Sequence, residues 1–167
     1  VTALAAVEQL APVSPDELND RAELTTRRDR KYLVPLEVLP SVLEAVGPLC
    51  RALEIDGRRE FAYDTMYYDS PELRSFLDTA RRRPFRHKIR TRRYVDSGRN
   101  WLEVKQRSRR GITVKHRFEY EGDDHRFGDD EREIVAGILG EEVASSDLGE
   151  KLTTRFGRST LLVGDVA

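Results

Sequence analysis

Between Phe85 and Glu121 polar and apolar residues alternate in three successive runs. In residues 85–95 the even positions Arg86, Lys88, Arg90 and Arg92 are basic, while Ile89 falls among the odd ones. Successive strand residues point to opposite faces, so this spacing predicts a strand with four cations on one side. The pattern returns over 100–107, where Glu103, Lys105 and Arg107 oppose Leu102 and Val104. It returns again over 112–121, where Lys115 and Arg117 oppose Val114 and Phe118. Turn residues at Ser97-Gly98 and Arg109-Arg110-Gly111 separate the runs, which predicts an antiparallel meander.

The rest of the chain reads as flanking helices and shorter strands. Thr2 to Leu10 can form a helix that Pro12 ends, and Ser14-Pro15-Asp16-Glu17 carries an N-cap with proline at the first helical position. Residues 1–24 thus form a helical lead-in. Arg30 to Val34 reads as a short strand. Leu36, Leu39, Val42, Leu43 and Val46 recur at helical spacing after Pro35, and Gly47-Pro48 stops that helix. Phe61 to Tyr68 is aromatic and β-prone, and Asp69-Ser70-Pro71-Glu72 opens a helix through Asp78. After an acidic loop over 122–130, a helix is predicted from Asp130 to Leu139, and Thr153 to Val163 reads as a last strand. These elements make an α+β domain with an antiparallel sheet.

Composition changes the picture mainly through charge. The net charge of the 167 residues is −1, yet residues 81–117 hold 15 of the 29 Lys and Arg residues and only two acids, Asp96 and Glu103. A cationic site focused within an otherwise acidic chain points to a compact anionic ligand more than to bulk nucleic-acid binding. The single cysteine, Cys50, excludes a disulfide framework within the chain and fits a packing role in a reducing compartment. No apolar run has the length of a membrane span, and no basic start with an apolar segment marks a signal peptide. A cytoplasmic location is expected. The first residue is not Met, so the numbering is expected to begin inside a longer chain or after processing.

Arginine offers a planar fork to phosphate oxygens and lysine a compact point charge, so a mixed lining favours phosphate over isolated carboxylates. Glu103 shares the parity of Lys105. It either fixes neighbouring cations or helps hold a divalent ion or a phosphate-bound water. His87, His116 and His125 lack zinc-site spacing, and no Gly-rich phosphate loop, Ser/His/Asp signature or dinucleotide fingerprint is present. Trp101 and Tyr94 could stack on a base, but no basic helix suits a major groove, so no specific nucleic acid is expected.

Several segments carry a family resemblance. Thr25 to Pro35 (TTRRDRKYLVP), Tyr67-Tyr68-Asp69-Ser70, His87 to Tyr94 (HKIRTRRY), Trp101-Leu102-Glu103-Val104-Lys105, Gly111 to Arg117 (GITVKHR) and Phe156-Gly157-Arg158-Ser159-Thr160 follow one another in order. Together they resemble the VTC domain of the vacuolar transporter chaperone and polyphosphate polymerase family, bacterial branch, within the triphosphate tunnel metalloenzymes. The lead-in Pro12 to Asn19 is similar too.

The resemblance implies an antiparallel β-tunnel with flanking helices over residues 25–167. It implies ATP and polyphosphate, or another phosphate polyanion, as partners and Mn²⁺ or Mg²⁺ as cofactor. It further implies a polymerase-type transfer of the ATP γ-phosphate to a polyphosphate chain. Arg90, Arg92, Lys105 and Lys115 would then be catalytic, and Lys31, Lys88, Arg117, Phe156 and Arg158 would bind substrate. Glu103 would serve the metal, with Asp29 as a possible inward-facing helper. The family's further strands supply another Arg, a metal-binding Glu and a closing Lys, so the tunnel is expected to be incomplete at its C-terminal side. A triphosphatase of the same superfamily and a non-catalytic polyphosphate or polyanion-binding module stand as alternatives.

Overall fold

A computed structural model describes residues 3–22, 30–108, 110–121, 125 and 127–164. In chain order the elements are α1 (Ala3–Glu8), β1 (Ala11–Val13), α2 (Pro15–Ala22), α3 (Leu39–Val46), β2 (Cys50–Leu53) and β3 (Phe61–Asp69). Then come α4 (Arg74–Ala80), β4 (Arg86–Tyr94), β5 (Arg99–Arg107), β6 (Thr113–Tyr120), α5 (Asp129–Leu139), α6 (Glu141–Ala144), β7 (Gly149–Arg158) and β8 (Leu161–Val163). Two compact units result, one of Val1–Phe61 with Gly157–Ala167 and one of Ala62–Phe156. No helix among the described residues is long and apolar enough to cross a membrane.

In the first unit β2 lies between β1, its parallel neighbour, and β8, its antiparallel one. Ala52 of β2 buries against Val7 of α1 and Leu43 of α3, with Leu10, Leu39 and Leu161 around them. Of the five apolar positions expected on one helical face, Leu39 and Leu43 build this core, whereas Leu36 and Val42 are exposed and α3 begins only at Leu39, after a 3-10 turn. A helix end leaves carbonyls without partners. Here the Arg59 guanidinium donates to the carbonyls of Glu8 at 2.6 Å and Leu10 at 2.7 Å, closing the end of α1. Ser14 Oγ accepts from the Glu17 N–H at 3.2 Å, the expected cap of α2. Cys50 is buried at the start of β2.

The second unit is a five-stranded sheet in the order β6-β5-β4-β3-β7. Tyr68, Ile89, Leu102 and Val104 project from one face onto Val135 of α5, Ala144 of α6 and Leu148. The alternation of aliphatics in β4 and β5 is what buries this face and fixes its register. Arg132 of α5 donates to the carbonyls of Ala144 and Leu148, tying the two helices together. Ile89 is 1% exposed. Ile89→Val is expected to cost about 0.5–1.5 kcal/mol, read as a lower urea midpoint of Trp101 fluorescence.

Four expectations are corrected. Arg30 to Val34 forms no strand; residues 30–35 are irregular and exposed. Their composition favours β structure, but a strand gains ladder hydrogen bonds only beside another strand, and none of the described strands pairs with them. The helix after Asp69 begins later, at Arg74, because the Asp69 carboxylate accepts from the N–H groups of Ser75 and Phe76, each at 2.9 Å. Thr153 to Val163 is two strands, β7 and β8, belonging to different sheets.

The largest correction concerns closure. Each sheet of the described residues is open, its terminal strands having one neighbour each, so the α+β reading holds but the β-tunnel does not. In a closed barrel of about eight strands the interior is just wide enough for side chains to fill or for one small ligand, and the five-stranded sheet here does not close.

Candidate functional site

Residues directly opposite each other in an antiparallel pair share a face. The register of β3 to β6 therefore orders the polar face in rows. Arg86 faces Arg107. Next, Lys88, Lys105 and Lys115 stand side by side across three strands. Beyond them run Tyr67, Arg90, Glu103 and Arg117, then Thr65, Arg92, Trp101 and Glu119. The face opposite is the one that packs on α5 and α6. His87 and His116 fall on that opposite parity, paired with Gln106 and Val104.

Glu103 organises the middle of the face. It is 2% exposed, and both of its oxygens meet cations. Arg90 Nε donates to Oε2 at 2.6 Å, Lys115 Nζ lies 2.5 Å from Oε1, and Arg117 Nε lies 3.9 Å from the same oxygen. Burial pushes the Glu103 carboxyl up, but the adjoining Lys115 ammonium and the Arg90 charge outweigh it and hold the group below its ordinary value. Arg90 also donates to the Tyr67 hydroxyl at 3.0 Å. Its burial alone would lower it; the Glu103 charge and Tyr67 raise it instead.

Among the described residues no carboxylate forms an ion pair with Arg92. Burial and then the neighbouring Arg90 charge lower it. Its Nε donates to Thr65 Oγ1 at 3.0 Å, and its guanidinium sits 5.3 Å from the Tyr63 ring centre and 5.5 Å from that of Phe156. Arg117 lies 3.7 Å over the Trp101 ring centre. Cation–π contacts of this kind hold arginines in place without neutralising them.

The lysine row is different. Lys88 and Lys105 are exposed, and no carboxylate among the described residues pairs with either. Adjacent strands lie about 4.7–4.9 Å apart, so three ammonium groups abreast repel one another. Only Lys115 reaches Glu103. An external anion is what would relieve the other two.

Lys88, Arg90, Arg92, Lys105, Lys115 and Arg117 are thus gathered on one face, and Phe156 packs on Tyr63 and Arg92 within the same unit. Lys31 and Arg158 belong to the other unit, where both are exposed. Asp29 lies outside the described residues. Tyr63 and Thr65, which position Arg92, were not singled out from sequence, and Tyr67, which positions Arg90, entered only within the Tyr67-Tyr68-Asp69-Ser70 segment. Their shared odd parity in β3 was the available signal.

Among the described residues no group of three or more His, Cys, Asp or Glu could hold a divalent metal. Glu103, the expected ligand, is occupied by arginine and lysine, whose charges oppose a metal ion at the same oxygens. With each sheet open and no such donor set among the described residues, polymerase-type transfer in a metal-loaded tunnel is corrected.

The family model for the VTC domain matches residues 26–128, more than half of the chain and all of β3 to β6. No curated protein matches the chain.

Proposed function

Because the chain belongs to the VTC domain family, we propose that its cationic sheet face is a non-catalytic binding site for phosphate polyanions, inorganic polyphosphate first among them. The observation that carries this reading is the row Lys88–Lys105–Lys115, three like charges abreast with a single buried carboxylate reaching only one of them. Lysines supply point charges that tolerate sliding of a repetitive chain, and exposed Arg117 adds a guanidinium beside them. Arg90 acts mainly as the scaffold that keeps Glu103 in place. A triphosphate such as ATP spans fewer rows than a long chain and binds more weakly.

The reading makes a direct prediction for calorimetric titration. Long-chain polyphosphate is expected to bind without added divalent cation, to remain bound in a chelator, and to weaken steeply as salt rises, as charge pairing requires. No ATP is consumed. Absence of binding at low salt, or binding only after a divalent cation is added, would overturn the proposal.

A further inference from the structure

β6 is an edge strand. β5 covers one side, and no described strand covers the other. Six of its eight residues, Thr113, Val114, Lys115, Arg117, Phe118 and Glu119, are exposed, and Phe118 and Val114 are apolar ones at 37% and 45%. Open edges template pairing with further strands unless charges prevent it. We infer that β6 is a self-complementary edge through which a second copy of this chain pairs, antiparallel and about a two-fold axis at Phe118.

The charge sequence selects this register. With Phe118 opposite its own copy, Arg117 faces Glu119 of the second chain and Lys115 faces Glu121, and two-fold symmetry repeats both pairs. Four opposite-charge pairs form and no like charges meet. Centring on Arg117 or Glu119 places that charge against itself. Centring on His116 sets Lys115 against Arg117, and centring on Tyr120 sets Glu119 against Glu121. Each of these alternatives juxtaposes like charges, which cross-strand pairing penalises, and centring on Val114 forms no opposite-charge pair within β6.

The required side chains are available. Glu121 is exposed. Among the described residues Glu119 pairs with exposed Arg99, at 3.3 Å. Lys115 keeps two N–H donors beyond the one directed at Glu103.

Paired residues share parity, so the cationic face of one copy continues into that of the other. One strand pair buries less than a stable interface of standard size, so the dimer is weak and concentration-dependent. A polyanion long enough to lie across both faces strengthens it by avidity. That last effect alone rests on the proposed polyanion reading; the pairing itself does not.

Sedimentation equilibrium of the chain over a range of concentrations tests the inference. Association to a dimer is expected without ligand. Glu119→Arg with Glu121→Lys turns four attractions into repulsions and raises the dimer dissociation constant about tenfold or more. Phe118→Asp at the axis does the same, and unchanged thermal melting shows that neither variant is merely unfolded. Phe118→Cys places two thiols at a cross-strand Cα separation of about 4.5–5.5 Å, within disulfide range, so mild oxidation links the dimer at residue 118. A chain that stays monomeric at every concentration, or a dimer indifferent to both substitutions, overturns the proposal. Polyphosphate binding by a strict monomer would refute the pairing and leave the binding face standing. A dimer blind to polyphosphate would do the reverse.

Discussion

Glu103→Gln is expected to destabilise the sheet unit by about 3–5 kcal/mol at neutral pH, the usual cost of removing one partner from a buried charge cluster. Glu103 is 2% exposed and holds Arg90 and Lys115 at hydrogen-bonding distance. Gln keeps the shape but not the charge, so Arg90 loses the anion that offsets its burial. The pH dependence separates this cause from loss of packing. The folded-state carboxyl is depressed below its ordinary value, by Lys115 and Arg90 acting against burial. Its contribution is therefore fully present above the unfolded-state value and is lost as pH falls through the folded-state one. The parent should lose this stability on acidification, and Glu103→Gln should lack that part of the slope. Trp101 is the single tryptophan and lies in the same unit, so urea melts followed by its fluorescence report the right transition. Equal acid slopes in parent and variant would exclude the assignment. The same substitution adds a net positive charge to the face and should tighten polyphosphate binding wherever the variant remains folded.

The face itself was legible because β4, β5 and β6 carry aliphatics on one parity and cations on the other. A one-residue slip would bury Arg90 and expose Ile89, so pattern and register agree. The role of Glu103 was only half legible: parity gave its face, but whether its oxygens meet a metal or cations depends on which residues stand opposite, and pairing decides that. Closure was not legible at all. A period of two records which side a residue faces and contains nothing about whether the first and last strands meet. The same blindness explains Thr153 to Val163, where β propensity continues but the chain leaves one sheet for another around Ser159-Thr160. Tyr32, Leu33 and Val34 look like a strand by composition, yet a strand exists only through its neighbour.

Removing two unpaired charges should separate affinity from stability. Lys88→Ala with Lys105→Ala is expected to weaken polyphosphate binding by about 10²–10⁴-fold, since charge-assisted contacts contribute roughly 1.5–3 kcal/mol each. The two side chains are cross-strand neighbours, so their effects need not add fully. Stability should hold or rise slightly, because both lysines are exposed, neither pairs with a carboxylate among the described residues, and their mutual repulsion is relieved. Arg93→Ala is the control: the register puts it opposite Asn100 and Asp64, on the parity of the buried aliphatics. It should change melting more than affinity. Arg90→Ala would be a poor probe, since it strips Glu103 of its hydrogen bond and confounds binding with folding. The salt dependence supplies the second readout: fewer cations meet phosphate in the double variant, so the logarithm of affinity should fall less steeply with the logarithm of salt. If Arg93→Ala costs as much affinity as the lysine pair, the anion does not lie on this face. If the lysine pair costs nothing, the charges left without partners are left so for another reason than a polyanion.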